Sequence, residues 1–190
     1  MTSTSASSRP APDDAPRTDL AADRRDPVAA GPAAPVLTLF CGPPGAGKTT
    51  LARRLEAEGA GLRICTDDWQ DEIGIPPTDA EAHERLQARL YRLAMQLLER
   101  GMDVILEDGL WMRAERTRVF ADARSRGARV RWHVFDVAPE ELERRLASRA
   151  ARGEPGTVPV SPAELARILT IFEPPRAEEL AAVDEVTLHR

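Results

Sequence analysis

The segment Gly42-Pro43-Pro44-Gly45-Ala46-Gly47-Lys48-Thr49-Thr50 has the residue types and spacing that promise the most definite chemistry in this 190-residue chain. It satisfies the pattern G-x-x-x-x-G-K-[ST]. In that pattern glycines let backbone N–H groups close around a β-phosphate, the lysine reaches the β- and γ-phosphates, and the hydroxyl residue serves Mg²⁺. All nine residues are expected to line a nucleotide, ATP or GTP, with Lys48 as a catalytic charge and Thr49 as a metal ligand. An apolar run, Val36 to Cys41, precedes the loop, and a helix-forming run, Lys48 to Glu58, follows it. That strand-loop-helix setting separates a phosphate loop from a glycine-rich turn, and the helix adds the positive end of its dipole.

In an open α/β sheet, ligands lie beyond the carboxyl ends of the strands, so residues just after each apolar run are the next candidates. Thr66-Asp67-Asp68-Trp69 follows the second run. A carboxylate here could orient an attacking hydroxyl and take its proton, the role expected of Asp67, or it could cap a short helix, the role expected of Asp68. Glu107-Asp108-Gly109 follows the third run and has the form of a segment that holds Mg²⁺ through water, with Asp108 the favoured acid. Arg145, Arg149 and Arg152 recur at spacings of four and three on one helical face before Gly153-Glu-Pro-Gly156. They read as a lid supplying positive charge to a transferring phosphoryl group, or else as a solvated helix laced with Glu140, Glu141 and Glu143. Trp69, Trp111 and Met112 follow the acidic segments and either line an acceptor pocket or pack. The three histidines show no metal-ligand spacing.

The elements that must position these groups alternate between short apolar runs and longer helical stretches, the pattern of stacked β-α units on a parallel sheet. Arg63 to Thr66 is a short strand. Thr78-Asp-Ala-Glu81 has capping-box spacing and opens a helix through Leu86, Leu90, Leu93 and Leu97 that stops at Gly101. A strand over Asp103 to Glu107, a helix over Arg113 to Arg126 and a strand over Val130 to Val137 follow. Pro139 begins another helix, Ser161-Pro-Ala-Glu164 caps one that runs through Phe172, and an edge strand lies near Glu185 to His189.

Composition narrows the classes. With 42% hydrophobic and 30% charged residues the chain has the make-up of a soluble globular protein, long enough for one domain. Residues 1–34, rich in Pro, Ala, Asp and Arg, read as a disordered tail ahead of a domain over 35–190. A net charge of −5 lacks the basic field that draws proteins to nucleic acid or anionic lipid. No stretch has the length of a bilayer span and the N-terminus lacks a signal peptide's apolar core, so the cytoplasm is the expected compartment. The two cysteines, Cys41 and Cys65, read as buried thiols rather than a disulfide.

From about residue 36 to 175 the chain resembles the P-loop kinases typified by the kinase domain of phage polynucleotide kinase and by small predicted kinases of the AAA_33 type. The resemblance rests on the phosphate loop, Asp67-Asp68, Val104-Ile-Leu-Glu-Asp108, and His133-Val-Phe-Asp-Val137 with Glu141-Leu142, Arg145 and Arg149. It implies a three-layer α/β/α P-loop NTPase fold with a mainly parallel sheet of about five strands and a helical lid. It also implies Asp67 as general base, Asp108 as an acid on the substrate or magnesium side, and Arg145 and Arg149 as lid arginines. Gln70 stands where polynucleotide kinase has an arginine that grips the acceptor's phosphate. With the acidic net charge, that points to a small-molecule acceptor, as in the similar chloramphenicol phosphotransferase and zeta-type toxin kinases. The substrate side is then expected at Asp67, Trp69, Gln70, Asp108 and Trp111. The expected activity is transfer of the γ-phosphate of ATP to a small molecule's hydroxyl, with no obligate protein partner; a 5′-hydroxyl polynucleotide kinase and a non-catalytic nucleotide switch are the alternatives.

Overall fold

The computed structural model describes Met1, residues 33–152 and residues 160–190. Most of the expected N-terminal tail and the Gly153–Gly156 segment of the expected lid lie outside the described residues. The elements run β1 (Val36–Cys41), α1 (Lys48–Ala57), β2 (Leu62–Ile64), α2 (Thr66–Glu72), α3 (Ala80–Glu99), β3 (Val104–Leu106) and α4 (Arg113–Ser125). Then come β4 (Arg129–Phe135), α5 (Pro139–Arg152), α6 (Pro162–Ile171), α7 (Ala177–Leu180) and β5 (Glu185–His189). The strands form one five-stranded sheet in the order β2-β3-β1-β4-β5, with every pairing parallel.

Strand alternation sorts the core into two layers. Leu37, Leu39 and Cys41 of β1 point the same way as Val104, Leu106, Val130, Trp132 and Val134, and α3 and α4 cover that face with Leu90, Ala94, Leu98, Val119, Phe120 and Ala123. Phe40, Ile105 and Phe135 point the other way, under Leu51 and Ala52 of α1, Leu142 and Leu146 of α5, and Leu165 of α6. The three layers are thus set by a two-residue period in the strands and a three-to-four-residue period in the helices. Each large aliphatic buried this way contributes about 1.5–3 kcal/mol, which decides the strand register, since a one-residue slip would exchange the faces.

Register also fixes the site. β1 pairs with β3 at Leu39 and Leu106 and with β4 at Cys41 and Val134. The chain crosses from β1 to β2 and β3 on one side and then to β4 and β5 on the other. The carboxyl end of β1 therefore lies at the switch point where open α/β sheets hold ligands.

Local expectations shift in two places. The N-cap of α3 is Asp79, whose carboxylate accepts the Ala82 N–H at 3.0 Å, rather than Thr78; aspartate is the stronger cap of the two. The short second strand ends at Ile64, and Thr66 already begins α2, so both aspartates lie inside a first helical turn. Cys41 and Cys65 are free and buried, and burial pushes their thiols up to about 11 and about 12. No helix among the described residues is long and apolar enough to cross a membrane.

Candidate active site

The glycine loop connects β1 to α1 in a conformation that requires its residue types. Gly45 has φ +81°, and a Cβ there would meet Leu146 Cγ of α5 at 3.0 Å. Gly47, the N-cap of α1, has φ +107° and no side chain to cap the helix. The first-turn N–H groups of α1 are therefore left for a ligand, and the dipole adds positive potential where they point. Thr49 and Thr50 stand exposed at that end, while Gly42, Pro43 and Ala46 are buried beneath.

Lys48 folds back over the loop, its Nζ donating to Gly42 O and Pro43 O, each at 2.9 Å. Desolvation pulls its pKa down to about 8, against the attraction of Glu107 and Asp67, and Arg149 lowers it further. The same interactions mark Glu107, Asp67 and Arg149 as neighbours of the lysine.

Across from the loop, α2 presents Asp67 exposed and Asp68 engaged. Asp68 takes Arg63 at 2.6 Å and Arg53 at 3.5 Å, so it ties β2, α1 and α2 together instead of capping. The arginines hold its carboxyl below the usual range although desolvation opposes them. Of the two acids after β3, Glu107 is buried against Arg63, with 2.6 Å from Nε to Oε2. Asp108 instead accepts from the Thr66 hydroxyl at 3.2 Å. Desolvation, with the charge of Asp67 added, pushes Asp108 up to about 6. The register thus gives one acid to an ion pair and the other to Thr66 at the start of α2.

From the opposite layer, Arg145 Nη1 donates to Ala46 O at 3.2 Å while its Nε holds Glu141 at 2.6 Å. Arg149, one turn further, influences Lys48. Arg152 is exposed near the end of α5 and donates to Ser148 Oγ at 2.9 Å. The arginine face thus begins at the loop and runs away from it.

The remaining sequence candidates separate. The Trp111 indole donates to Gly42 O at 3.2 Å, so it packs on the phosphate loop itself. Trp69 is 42% exposed on α2. Gln70, expected on the substrate side, is buried with both ends of its amide engaged. Its Nε2 donates to Pro76 O at 2.9 Å and its Oε1 lies 2.6 Å from His83 Nδ1. It supports the α2–α3 corner, with each end of the amide committed to a partner inside it.

Sequence reasoning missed Arg116 and Glu179. Arg116 is wholly buried, clamped by Glu179 at 2.7 Å, and its Nη1 donates to Leu110 O and Trp111 O behind the loop. Its spacing to Val119, Phe120 and Ala123 on the buried stripe of α4 was the available signal.

The family model described as an AAA domain, AAA_33, matches residues 37–175. No curated protein matches the sequence. Among solved structures, a candidate kinase from Chloroflexus aurantiacus has 21% identity and a TM-score of 0.63, covering 82% of this chain and 88% of that one. Chaetomium thermophilum Kti12 in complex with ADP-AlF3 has 18% identity and a TM-score of 0.61, with 80% and 87% coverage. A chain of the Pnkp1/Rnl/Hen1 RNA repair complex has 24% identity and a TM-score of 0.58; the match covers 72% of this chain and 43% of that one. At these identities the likeness establishes the P-loop kinase-like fold.

Proposed function

This chain belongs to the AAA_33 family of P-loop, kinase-like domains, and on that footing we propose that it transfers the γ-phosphate of ATP to a hydroxyl of a small molecule in the cytoplasm. The observation that carries this reading is the pairing of a glycine loop and an uncapped helix N-terminus with an exposed carboxylate, Asp67, close enough to influence Lys48. A loop alone argues for binding; the facing acid argues for transfer. We assign the activity to residues 35–190.

The loop over residues 42–50 holds the phosphates through the N–H groups left open at the start of α1, since Pro43 and Pro44 have none and Gly42 gives its own to Gly109 O, and Lys48 exchanges its two carbonyl acceptors for phosphate oxygens. Arg145 and Arg149 place positive charge beside the loop, where negative charge moves during transfer. Asp67 orients the acceptor hydroxyl and takes its proton. The donors offered to a metal, the Thr49 hydroxyl and the Asp108 carboxylate, are hard oxygens of the kind Mg²⁺ takes, and such sites are completed by substrate phosphates. Mg²⁺ bound there would neutralise charge on the β- and γ-phosphates. GTP is the other nucleotide that the loop could hold.

Gln70 favours a small acceptor over nucleic acid, since a neutral, internally satisfied amide offers an acceptor phosphate no charge. The test is release of ADP from ATP and Mg²⁺ over a panel of polyols, amino sugars, nucleosides and a 5′-hydroxyl oligonucleotide. Acceptor-dependent ADP release with one of the small alcohols is expected. Transfer confined to the oligonucleotide would move the assignment to polynucleotide kinase, and ATP binding with no transfer to any acceptor would favour a nucleotide switch.

A further inference from the structure

The short loop from Gly109 to Trp111, between β3 and α4, grips the phosphate loop at both backbone groups of one residue. The Gly42 N–H donates to Gly109 O at 3.3 Å, and the Trp111 indole donates to Gly42 O at 3.2 Å. That carbonyl is also one of the two on which Lys48 rests. When Lys48 turns to a phosphate, the indole stays as the donor that holds Gly42 in place.

The gripping loop does not hold its shape by local preference. Leu110 has φ +42°, in the left-handed region that a residue with a branched side chain enters only when its surroundings hold it there. Arg116 supplies that hold. Its Nη1 donates to Leu110 O at 3.1 Å and to Trp111 O at 3.0 Å, while Nε and Nη2 make a two-pronged pair with Glu179 at 2.7 and 3.1 Å. The carboxylate fixes the plane of the guanidinium, and so aims its remaining edge at the two carbonyls. Glu179 is itself held by the Arg176 N–H at 3.0 Å. An arginine this early in α4 lies against the helix dipole and out of water. The two loop carbonyls are what its position serves.

We infer that Arg116, oriented by Glu179, is a positioning residue for nucleotide binding, fixing the Leu110 and Trp111 carbonyls so that the Trp111 indole secures Gly42 at the mouth of the phosphate loop. The inference rests on the nucleotide-binding part of the function proposed above. It also gives α7, remote in sequence, a share in the loop's geometry.

The experiment separates positioning from stability by replacing the whole ion pair. Arg116→Met with Glu179→Leu puts an apolar pair where the charges were, a change that buried pairs often tolerate, but takes the guanidinium from both loop carbonyls, leaving Leu110 O to the weak Cys41 thiol donor at 3.4 Å and Trp111 O to the Glu173 N–H at 2.9 Å. Arg116→Lys keeps the charge and cannot span the same acceptors. Thermal melting and titration with a fluorescent ATP analogue and Mg²⁺ are followed in the unsubstituted chain, the double variant, the lysine variant and Trp111→Phe. The double variant is expected to melt within roughly 5 °C of the unsubstituted chain, with its Kd raised about tenfold. The lysine variant is expected to bind weakly as well, and Trp111→Phe, which keeps a ring but loses the N–H, to raise Kd about threefold or more. A folded double variant with unchanged Kd overturns the inference and leaves the kinase reading standing. Should the double variant fail to fold, Trp111→Phe decides: unchanged Kd overturns the inference and weakened binding supports it. No binding by the unsubstituted chain would remove both.

Discussion

The phosphate-loop side of the site and the α2 side use their polar groups in opposite ways. Around Gly42 to Thr50 the working groups are backbone N–H, left open by Gly47 at an uncapped helix end, and the loop is braced from outside by Trp111 and Arg145. On the α2 side the working groups are side chains, and most already bond one another: Asp68 to Arg63, Asp108 to Thr66, Gln70 to His83 and Pro76. Asp67 is the exposed acid in that group. Apart from the Asp108 carboxylate proposed for a metal, a ligand therefore meets prepared donors on one side and one exposed carboxylate on the other, which suits a tightly held common substrate and an acceptor recognised by fewer contacts.

The largest expected effects would break this comparison into its halves. Lys48→Met should remove ATP binding and transfer together, lowering kcat/KM by about a thousandfold or more, roughly 4 kcal/mol. Asp67→Asn should instead lower kcat by about a hundred- to ten-thousandfold, the usual reach of general-base catalysis, with ATP affinity nearly unchanged. Steady-state kinetics with the acceptor found in the ADP-release screen, together with nucleotide titration, measures both. If Asp67→Asn weakens ATP binding as much as Lys48→Met does, the two sides are not separate and the base assignment fails.

An intermediate effect concerns support. Gln70→Ala would leave the His83 ring nitrogen without its partner and Pro76 O with the Asp79 N–H alone in a half-buried corner, a loss of about 1–2 kcal/mol in urea unfolding. ATP affinity should stay where it is, because the residue serves the α2–α3 turn. Gln70→Glu sharpens the test: a neutral His83 can still meet the carboxylate, but Pro76 O then faces an acceptor. A smaller loss than for Gln70→Ala, recovered as pH falls and the new acid protonates, would mark the hydrogen bonds rather than the volume as what matters.

How much of this was legible in the sequence follows from the same contrast. The phosphate loop was legible because backbone chemistry fixes residue types at fixed offsets: Gly45 and Gly47 occupy positive φ, and Lys48 and Thr49 open a helix. The sheet was legible because Leu37, Leu39 and Cys41 alternate with Thr38 and Phe40, and all five are buried between two helical layers. Thr78 and Asp79 are both capping residues one position apart, and offset alone does not choose between them. The supporting role of Gln70 was not legible because its partners, Pro76 and His83, come from the following turn and helix, and nothing local to Asp67-Asp68-Trp69-Gln70 announces them. Arg116 had a signal in its helical spacing, but Glu179 lies 63 residues further on, and the pair exists only once α4 and α7 are packed.

The smallest effect is a proton count at Lys48, and it tests whether the two sides communicate electrostatically. In the free protein desolvation lowers Lys48 to about 8 although Glu107 and Asp67 pull the other way. Phosphates can only raise it, so the bound state holds more protons than the free state wherever the free lysine is partly neutral. By linkage, ATP affinity then falls as pH rises through 8 toward the ordinary lysine range, and binding takes up about half a proton at pH 8 and little at pH 6.5. Titration calorimetry in buffers of different ionisation enthalpy reads this directly. Asp67→Asn removes one of the charges that favour the protonated lysine, so it should lower the free pKa slightly and move the onset of uptake to lower pH. An uptake profile unmoved by Asp67→Asn would mean that the carboxylate proposed as base does not feel the lysine across the site. Nucleotide binding would then stand, and the geometry proposed for transfer would not.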